Sequence, residues 1–282
     1  MNNDTLPPKC ATEVLRCPAC GAVSPTCIGS ATGLPLMRCR SCGHDFALMF
    51  EGSVDLENHY GEHYSGFRED TVFSRKVRSM LASHLAPLIP SAGNVLDVGC
   101  GNGEFLAAAK EEGFKAFGLD FSKAAAELCR GRGLEADSGD FLSFKFTDRA
   151  PFDLVTFWDV CEHLPTPVDF LVRALSLVKP GGYVVVKVPL VTARTVDIAS
   201  RLPRLAGALL SSPSHIHYFR KATLARLLER AGFTSLVWLP NESLRGGIQS
   251  GGLKKQLARG VRNGLQRWAG DGSLLVAARR PL

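Results

Sequence analysis

The chain has 282 residues, 45% of them hydrophobic, with a formal charge of +6. That length and apolar content hold one full α/β domain plus a smaller module, and no run of about 18 apolar residues is present to cross a membrane. The opening nine residues are polar and Pro-containing, without a basic stretch leading into an apolar one, so the expected location is cytoplasmic.

Two knuckles come first, giving Cys17-x2-Cys20-x18-Cys39-x2-Cys42, each with Gly after its second Cys. That spacing fits a four-thiolate structural zinc, the Gly allowing a tight turn that aims backbone amides at sulfur. The total of nine cysteines is odd, which also argues against a disulfide framework in so large a chain. Cys10, Cys27, Cys100, Cys129 and Cys161 fall outside the spacing and read as free thiols. A mixed helical stretch follows over 54–88, ended by the Pro90-Ser91-Ala92-Gly93 break. The expected division is a zinc ribbon over 10–50, a helical linker and cofactor lid over 51–92, and an α/β domain over 93–282.

Beyond the break, apolar runs alternate with helical patterns. Strands are expected at 94–98, 115–119, 153–157 and 183–188, with a weaker one near Glu135 and a late pair at 234–239 and 273–277. Helices follow Gly103, Ser122 and Pro167, and another spans 221–231. Between the last two strands, Leu253, Leu257, Val261, Leu265 and Trp268 recur at helical spacing, giving an amphipathic helix near 252–269. From Arg245 onward eight basic residues face Asp271 alone, so the positive charge is a local feature that can meet phosphate, an anionic membrane surface or only solvent.

The segment Asp97-Val98-Gly99-Cys100-Gly101-Asn102-Gly103 joins a strand to a helix, so backbone N–H groups can approach a ligand with no side chain between. Its glycines lack the third position of the dinucleotide fingerprint, and Asp97 at the entrance suits a cationic ligand end better than a pyrophosphate. Asp120, at the end of the next strand, can take both hydroxyls of a ribose. Asp140 is placed for an adenine amino group, with Phe141 against the ring and Phe121 and Trp158 beside it.

This ordered series, with Phe152-Asp153-Leu154-Val155 and Leu177-Val178-Lys179-Pro180-Gly181-Gly182, resembles the motif set of class I S-adenosylmethionine-dependent methyltransferases. The resemblance implies a Rossmann-like, doubly wound seven-stranded sheet with an antiparallel last strand, and S-adenosylmethionine as cofactor. It places the methionine portion on Gly99 to Gly103, the ribose on Asp120 and the adenine on Asp140. Tyr60 and Tyr64 resemble an aromatic pair that closes over the cofactor, where a ring face suits a sulfonium.

On the acceptor side, Trp158-Asp159-Val160-Cys161-Glu162-His163 resembles the acidic-x-x-Glu-His element of ubiquinone-biosynthesis O-methyltransferases and small-RNA 2'-O-methyltransferases. By that likeness Asp159, Glu162 and His163 ligate a divalent ion, although Asp159 is one methylene shorter than the Glu of those families. His163 as a base, or as a structural histidine, stays open. His217, in Ser214-His215-Ile216-His217-Tyr218, is a second candidate base or ligand, sharing a side with His215 if the segment is extended. The leading functional reading is methylation of a small-molecule acceptor, with O-methylation favoured on a sugar, quinone-like or lipid-linked metabolite. The alternatives are an RNA methyltransferase using ribbon and basic helix, and an inactive cofactor-binding interaction protein. Peripheral membrane contact stays open, as does oligomeric state.

Overall fold

The computed structural model describes residues 15–49, 71–211, 214–240 and 272–282. A small sheet opens the chain, from strands β1 (Pro25–Ala31), β2 (Leu34–Cys39) and β3 (Asp45–Ala47). Helix α1 (Thr71–Met80) follows and continues through one π-helical turn at Leu81–Leu85. The main repeat then runs β4 (Asn94–Val98), α2 (Glu104–Glu111), β5 (Lys115–Asp120), α3 (Lys123–Gly131), β6 (Ala136–Ser138), β7 (Phe152–Trp158), α4 (Pro167–Leu177) and β8 (Val178–Leu190). Two helices not anticipated from the sequence, α5 (Ala193–Arg201) and α6 (Pro203–Leu210), lead to β9 (His217–Tyr218), α7 (Lys221–Arg230), β10 (Thr234–Trp238) and β11 (Gly272–Arg279).

Seven strands form one sheet in the order β10-β11-β8-β7-β4-β5-β6. The five strands β4 to β8 pair in parallel, while β11 runs antiparallel to both β8 and β10. Alternate residues of each central strand enter opposite cores. Leu96, Val98, Val155, Phe157, Val184 and Val186 pack with α4 and α7, whereas Val95, Leu154 and Val185 pack with α1 and α2. Burial on both faces explains the near-continuous apolar runs of these strands. Each fully buried aliphatic side chain contributes roughly 1.5–3 kcal/mol.

Helix ends follow the local signals. Ser122 caps α3 by accepting from the Ala125 N–H, and Pro167 sits in the first turn of α4. Gly103 starts α2 at φ +75°, and a Cβ there would stand 2.6 Å from Leu134. The weak strand near Glu135 is β6, one residue later. The Pro180-Gly181-Gly182 turn lies inside a longer β8, where the Gly181 N–H and Gly182 carbonyl bond Arg280.

The ribbon takes its fourth strand from the segment after α6, because β9 pairs with β3 (Asp45↔Tyr218, Phe46↔His217). Cys17, Ala19 and Cys39 share a core with α7, and Arg230 donates to the carbonyls of Cys17 and Pro18. Residues 15–49 therefore fold against the α/β unit and complete their small sheet with that unit's residues. Tyr60, Tyr64, Cys10 and the amphipathic segment near 252–269 lie outside the described residues.

Candidate active site

After β4 the chain builds outward through β5 and β6, then crosses back to β7 and β8, so the topological switch falls between β4 and β7. Ligands of open α/β sheets bind outside the carboxyl ends of strands at such a point. A cavity of about 490 Å³ lies there, its floor made by the loop after β4 and one wall by the loop after β7. Of the residues read as cofactor-binding, Asp97, Gly99, Cys100, Gly101, Asp120, Phe121, Asp140, Phe141 and Trp158 line it, whereas Gly103 turns toward Leu134 and Cys129 and does not.

Asp97 is 2% exposed and accepts from the Thr156 hydroxyl at 2.7 Å. Burial pushes its carboxyl up to about 8, because desolvation disfavours the charged form. Asp120 accepts from the Gly101 N–H and the Ser122 N–H, both at 2.9 Å, which ties the glycine loop to the end of β5. Burial raises its pKa and those two N–H groups oppose the rise. Gly99 has φ +72°, and an added Cβ would stand 2.6 Å from the Val160 side chain, so the loops after β4 and β7 touch only because glycine is there.

Asp140 is exposed at the rim and receives the Leu142 and Ser143 N–H groups and the Ser143 hydroxyl. Phe141 is buried among Phe146, Phe157 and Phe170, so it belongs to the core as well as to the wall. Phe121 is 57% exposed at the mouth. The Cys100 thiol faces backwards toward Gly118 and Cys129, leaving only its backbone side to the cavity. Trp158 packs on Phe105, and its buried indole N–H has no hydrogen-bond partner among the described residues.

The loop after β7 carries the ionisable groups. Glu162 is fully buried, and neither carboxylate oxygen has a hydrogen-bond partner among the described residues. Burial first, then the nearby Asp159, holds its pKa well above the carboxylate range. His163 donates from Nδ1 to the Ser214 carbonyl at 2.7 Å, since a carbonyl can only accept, and its Nε2 stands 3.9 Å from Glu162. The His215 ring meets that of His163 edge-on at 4.7 Å. Ligand atoms of Glu162, His163 and His215 lie within 4.8 Å of one another.

This trio differs from the Asp159, Glu162 and His163 set read from the sequence. Asp159 has φ +53° and turns its carboxylate to Lys187, a buried lysine of β8, while its N–H bonds the Lys187 carbonyl. Of the histidine pair, His215 and not His217 reaches the group. The His215 N–H bonds the Ser211 carbonyl, so a turn precedes β9 and strand alternation does not extend back to His215. His217 is buried, with Nε2 donating to the Leu164 carbonyl at 2.9 Å and Nδ1 facing His44 Nε2 at 3.2 Å. Lys187 and His44 were not singled out from the sequence. A lone lysine inside the apolar run of β8 was the available signal for the first, and nothing local marked the second.

In the ribbon, Cys17 and Cys42 sulfurs stand 3.6 Å apart and those of Cys20 and Cys39 3.7 Å. Thiolates at about 2.3 Å from a tetrahedral ion sit about 3.8 Å apart, so this set fits zinc. Gly21 (φ +77°) and Gly43 (φ +75°) close the knuckles, and the Cys20 and Cys42 amides point at the Cys17 and Cys39 sulfurs.

Comparison with known proteins decides the family. A family model described as a methyltransferase domain matches residues 64–237. The chain belongs to that family. It is a class I S-adenosylmethionine-dependent methyltransferase. The ubiquinone biosynthesis O-methyltransferase of Vibrio atlanticus (strain LGP32) is 30% identical over 164 residues, covering 52% of this chain and 67% of that protein. Its counterpart from Vibrio parahaemolyticus is 28% identical over 155 residues, covering 50% of this chain and 64% of that one. This methyltransferase thus aligns with somewhat under two thirds of the latter relative's length. Among solved structures, a SAM-dependent methyltransferase from Archaeoglobus fulgidus shares the fold at TM-score 0.51 and 22% identity, over 80% of this chain and 100% of that one. Phosphoethanolamine N-methyltransferase 2 of Haemonchus contortus, in complex with S-adenosyl-L-methionine, does so at TM-score 0.56 and 13% identity, over 84% and 62%. No helix of the described residues is long and apolar enough to cross a membrane.

Proposed function

We propose that this methyltransferase transfers the methyl group of S-adenosylmethionine to a hydroxyl of a small molecule. The observation that carries this reading is the gathering of Glu162, His163 and His215, of which His163 lines the cavity together with the glycine loop, where an acceptor would meet the cofactor. In the proposed pose Asp97 attracts the cationic methionine end, Asp120 takes the ribose hydroxyls, and Asp140 and Phe121 meet the adenine at the mouth. Phe141 and Trp158 wall the site, and Tyr60 and Tyr64 are proposed to close over it. Transfer from a sulfonium is an in-line displacement of an already activated methyl, so the protein's task is to align and dry the two partners. A hydroxyl acceptor must in addition lose a proton.

Glu162 supplies the reason to place a divalent ion at this point. A buried carboxylate without a partner is costly, and a cation held by one oxygen and two imidazole nitrogens would offset that cost. Such a donor set suits a zinc-, manganese- or iron-like ion. When bound, the ion would acidify the acceptor hydroxyl. The His163 Nδ1–H bond to Ser214 fixes the tautomer that presents Nε2 toward Glu162, as expected of a ligand histidine. Asp159 is assigned to holding Lys187. The ribbon cysteines are proposed to hold a structural zinc with no part in the chemistry.

The test is incubation with methyl-labelled cofactor and a small-molecule extract, followed by mass spectrometry of the labelled product. The label should appear on an oxygen, and Glu162→Gln should lower its incorporation by about a hundredfold or more. A label on nitrogen or carbon, or an unaffected Glu162→Gln, would overturn the assignment.

A further inference from the structure

We propose that the N-terminal ribbon braces the acceptor side of the cleft, with His44 as the positioning residue that connects the two. The loop after β7 has a reason to open, because Glu162 is buried without a hydrogen-bond partner and outward movement would hydrate it. What holds the loop inward is the segment around β9. The carbonyl of Glu162 accepts from the N–H groups of Ile216 (2.8 Å) and His217 (3.1 Å), and the Ser214 carbonyl takes the Nδ1–H of His163. β9 is in turn a strand of the ribbon sheet, paired with β3.

The side chains make a second connection in one direction only. The Leu164 carbonyl can only accept, so His217 carries its proton on Nε2. His217 is buried and faces a second buried imidazole rather than a carboxylate, so its ring stays neutral and its Nδ1 is an acceptor. His44 must then donate from Nε2 to that Nδ1. The His44 ring is fully buried, stacked on Phe46 and His217 and tilted against Phe219. Around this column, buried Asp45 accepts from Arg38 at 2.6 Å and from Arg220 at 2.7 Å, and Arg38 also meets Asp197 of α5 at 2.8 Å. The ribbon thus grips the helices on both sides of β9, and His44 passes that grip to the loop carrying Glu162 and His163. The cofactor floor, on β4 and β5, has no such bond to the ribbon among the described residues.

The brace is a statement about loop geometry, so it can fail or succeed whatever the methyl acceptor proves to be. Three variants of the full chain separate the donor from mere packing. His44→Phe keeps a ring on Phe46 and Phe219 without a donor, His44→Gln restores an N–H near the Nε2 position, and His44→Ala removes both. Amide hydrogen exchange by mass spectrometry reads peptides covering 159–166 and 214–219, with 95–103 as the internal reference and bound zinc counted by elemental analysis. His44→Phe and His44→Ala should speed exchange in the first two peptides about tenfold or more, while 95–103 and the zinc content stay as in wild type. His44→Gln should return exchange close to wild type, and the nitrogen chemical shifts of His217 should keep the Nε2–H tautomer. Wild-type exchange in His44→Phe would overturn the proposal, as would equal acceleration in all peptides or failure of His44→Gln to rescue.

Discussion

The two halves of the cleft are built by opposite means. The half proposed to seat the cofactor comes from consecutive strand ends: Asp97, Gly99, Gly101, Asp120 and Asp140 follow one another along 44 positions and line the cavity. The half proposed for the acceptor brings His163 of the cavity wall together with buried Glu162 and with His215, more than fifty residues later and just before a strand of the ribbon sheet. A cofactor shared by a whole family can be read by a short, repeated backbone device. An acceptor-side group of this kind depends on elements that the common fold does not require.

Substitutions can sharpen or break that contrast, and the largest effect is expected at Asp97. Its carboxyl titrates near 8 in the fold but near 4 in an unfolded chain, so between those values the folded protein keeps a proton that the unfolded one releases. Stability without cofactor should therefore fall as pH rises across that window. Asp97→Asn should remove the fall, melting with wild type near pH 4 and surpassing it by a few kcal/mol at pH 8, while binding S-adenosylhomocysteine more weakly. Thermal melts at several pH values and calorimetry check both. A parallel pH dependence in the two proteins would show that the buried charge is not at Asp97.

Next in size is Asp120→Ala, which should weaken cofactor binding by about 1–3 kcal/mol through lost charge-assisted hydrogen bonds. Part of that loss comes from releasing Gly101, whose N–H the carboxylate holds. Calorimetry showing wild-type affinity would remove Asp120 from the ribose. The smallest effect belongs to Lys187→Met, which keeps the buried stem and strands a carboxylate 45% exposed at Asp159. Solvent can hydrate that group, so stability should fall by about 1 kcal/mol or less in denaturant unfolding. A much larger loss would mean that Lys187 also compensates Glu162, and the acceptor half would then carry its own internal cation.

Legibility in the sequence followed the range of the interactions. The glycine loop, Asp120 and the parallel strands were readable because a strand end followed by its turn, or a short continuous apolar run buried on both faces, shows within a few consecutive residues. The four-cysteine cluster was readable because two short knuckles fix it, whatever lies between. Helices α5 and α6 went unread although Thr192 caps one and Pro203 begins the other, since their mixed faces pack partly on the ribbon core. His215, and not His217, lies with Glu162 and His163, because a turn from Ser211 to His215 interrupts the extended segment that would have put both histidines on one side. Asp159 was grouped with Glu162 and His163 by resemblance, but its positive φ and the cation offered by β8 turned it to Lys187.

By itself the sequence determined the glycine loop and the carboxylates near the ends of β4 to β6, because a strand end and the turn after it mark each position within a few residues, even where Thr156 and Val160 later pack on them. Only the tertiary structure decided the acceptor half. Whether His215 or His217 meets Glu162, which way Asp159 faces, and that the ribbon leans on the same loop all depend on β9 completing another sheet. Pairing of that kind is chosen by the whole packed molecule, because a two-residue strand has too little pattern of its own to specify a partner.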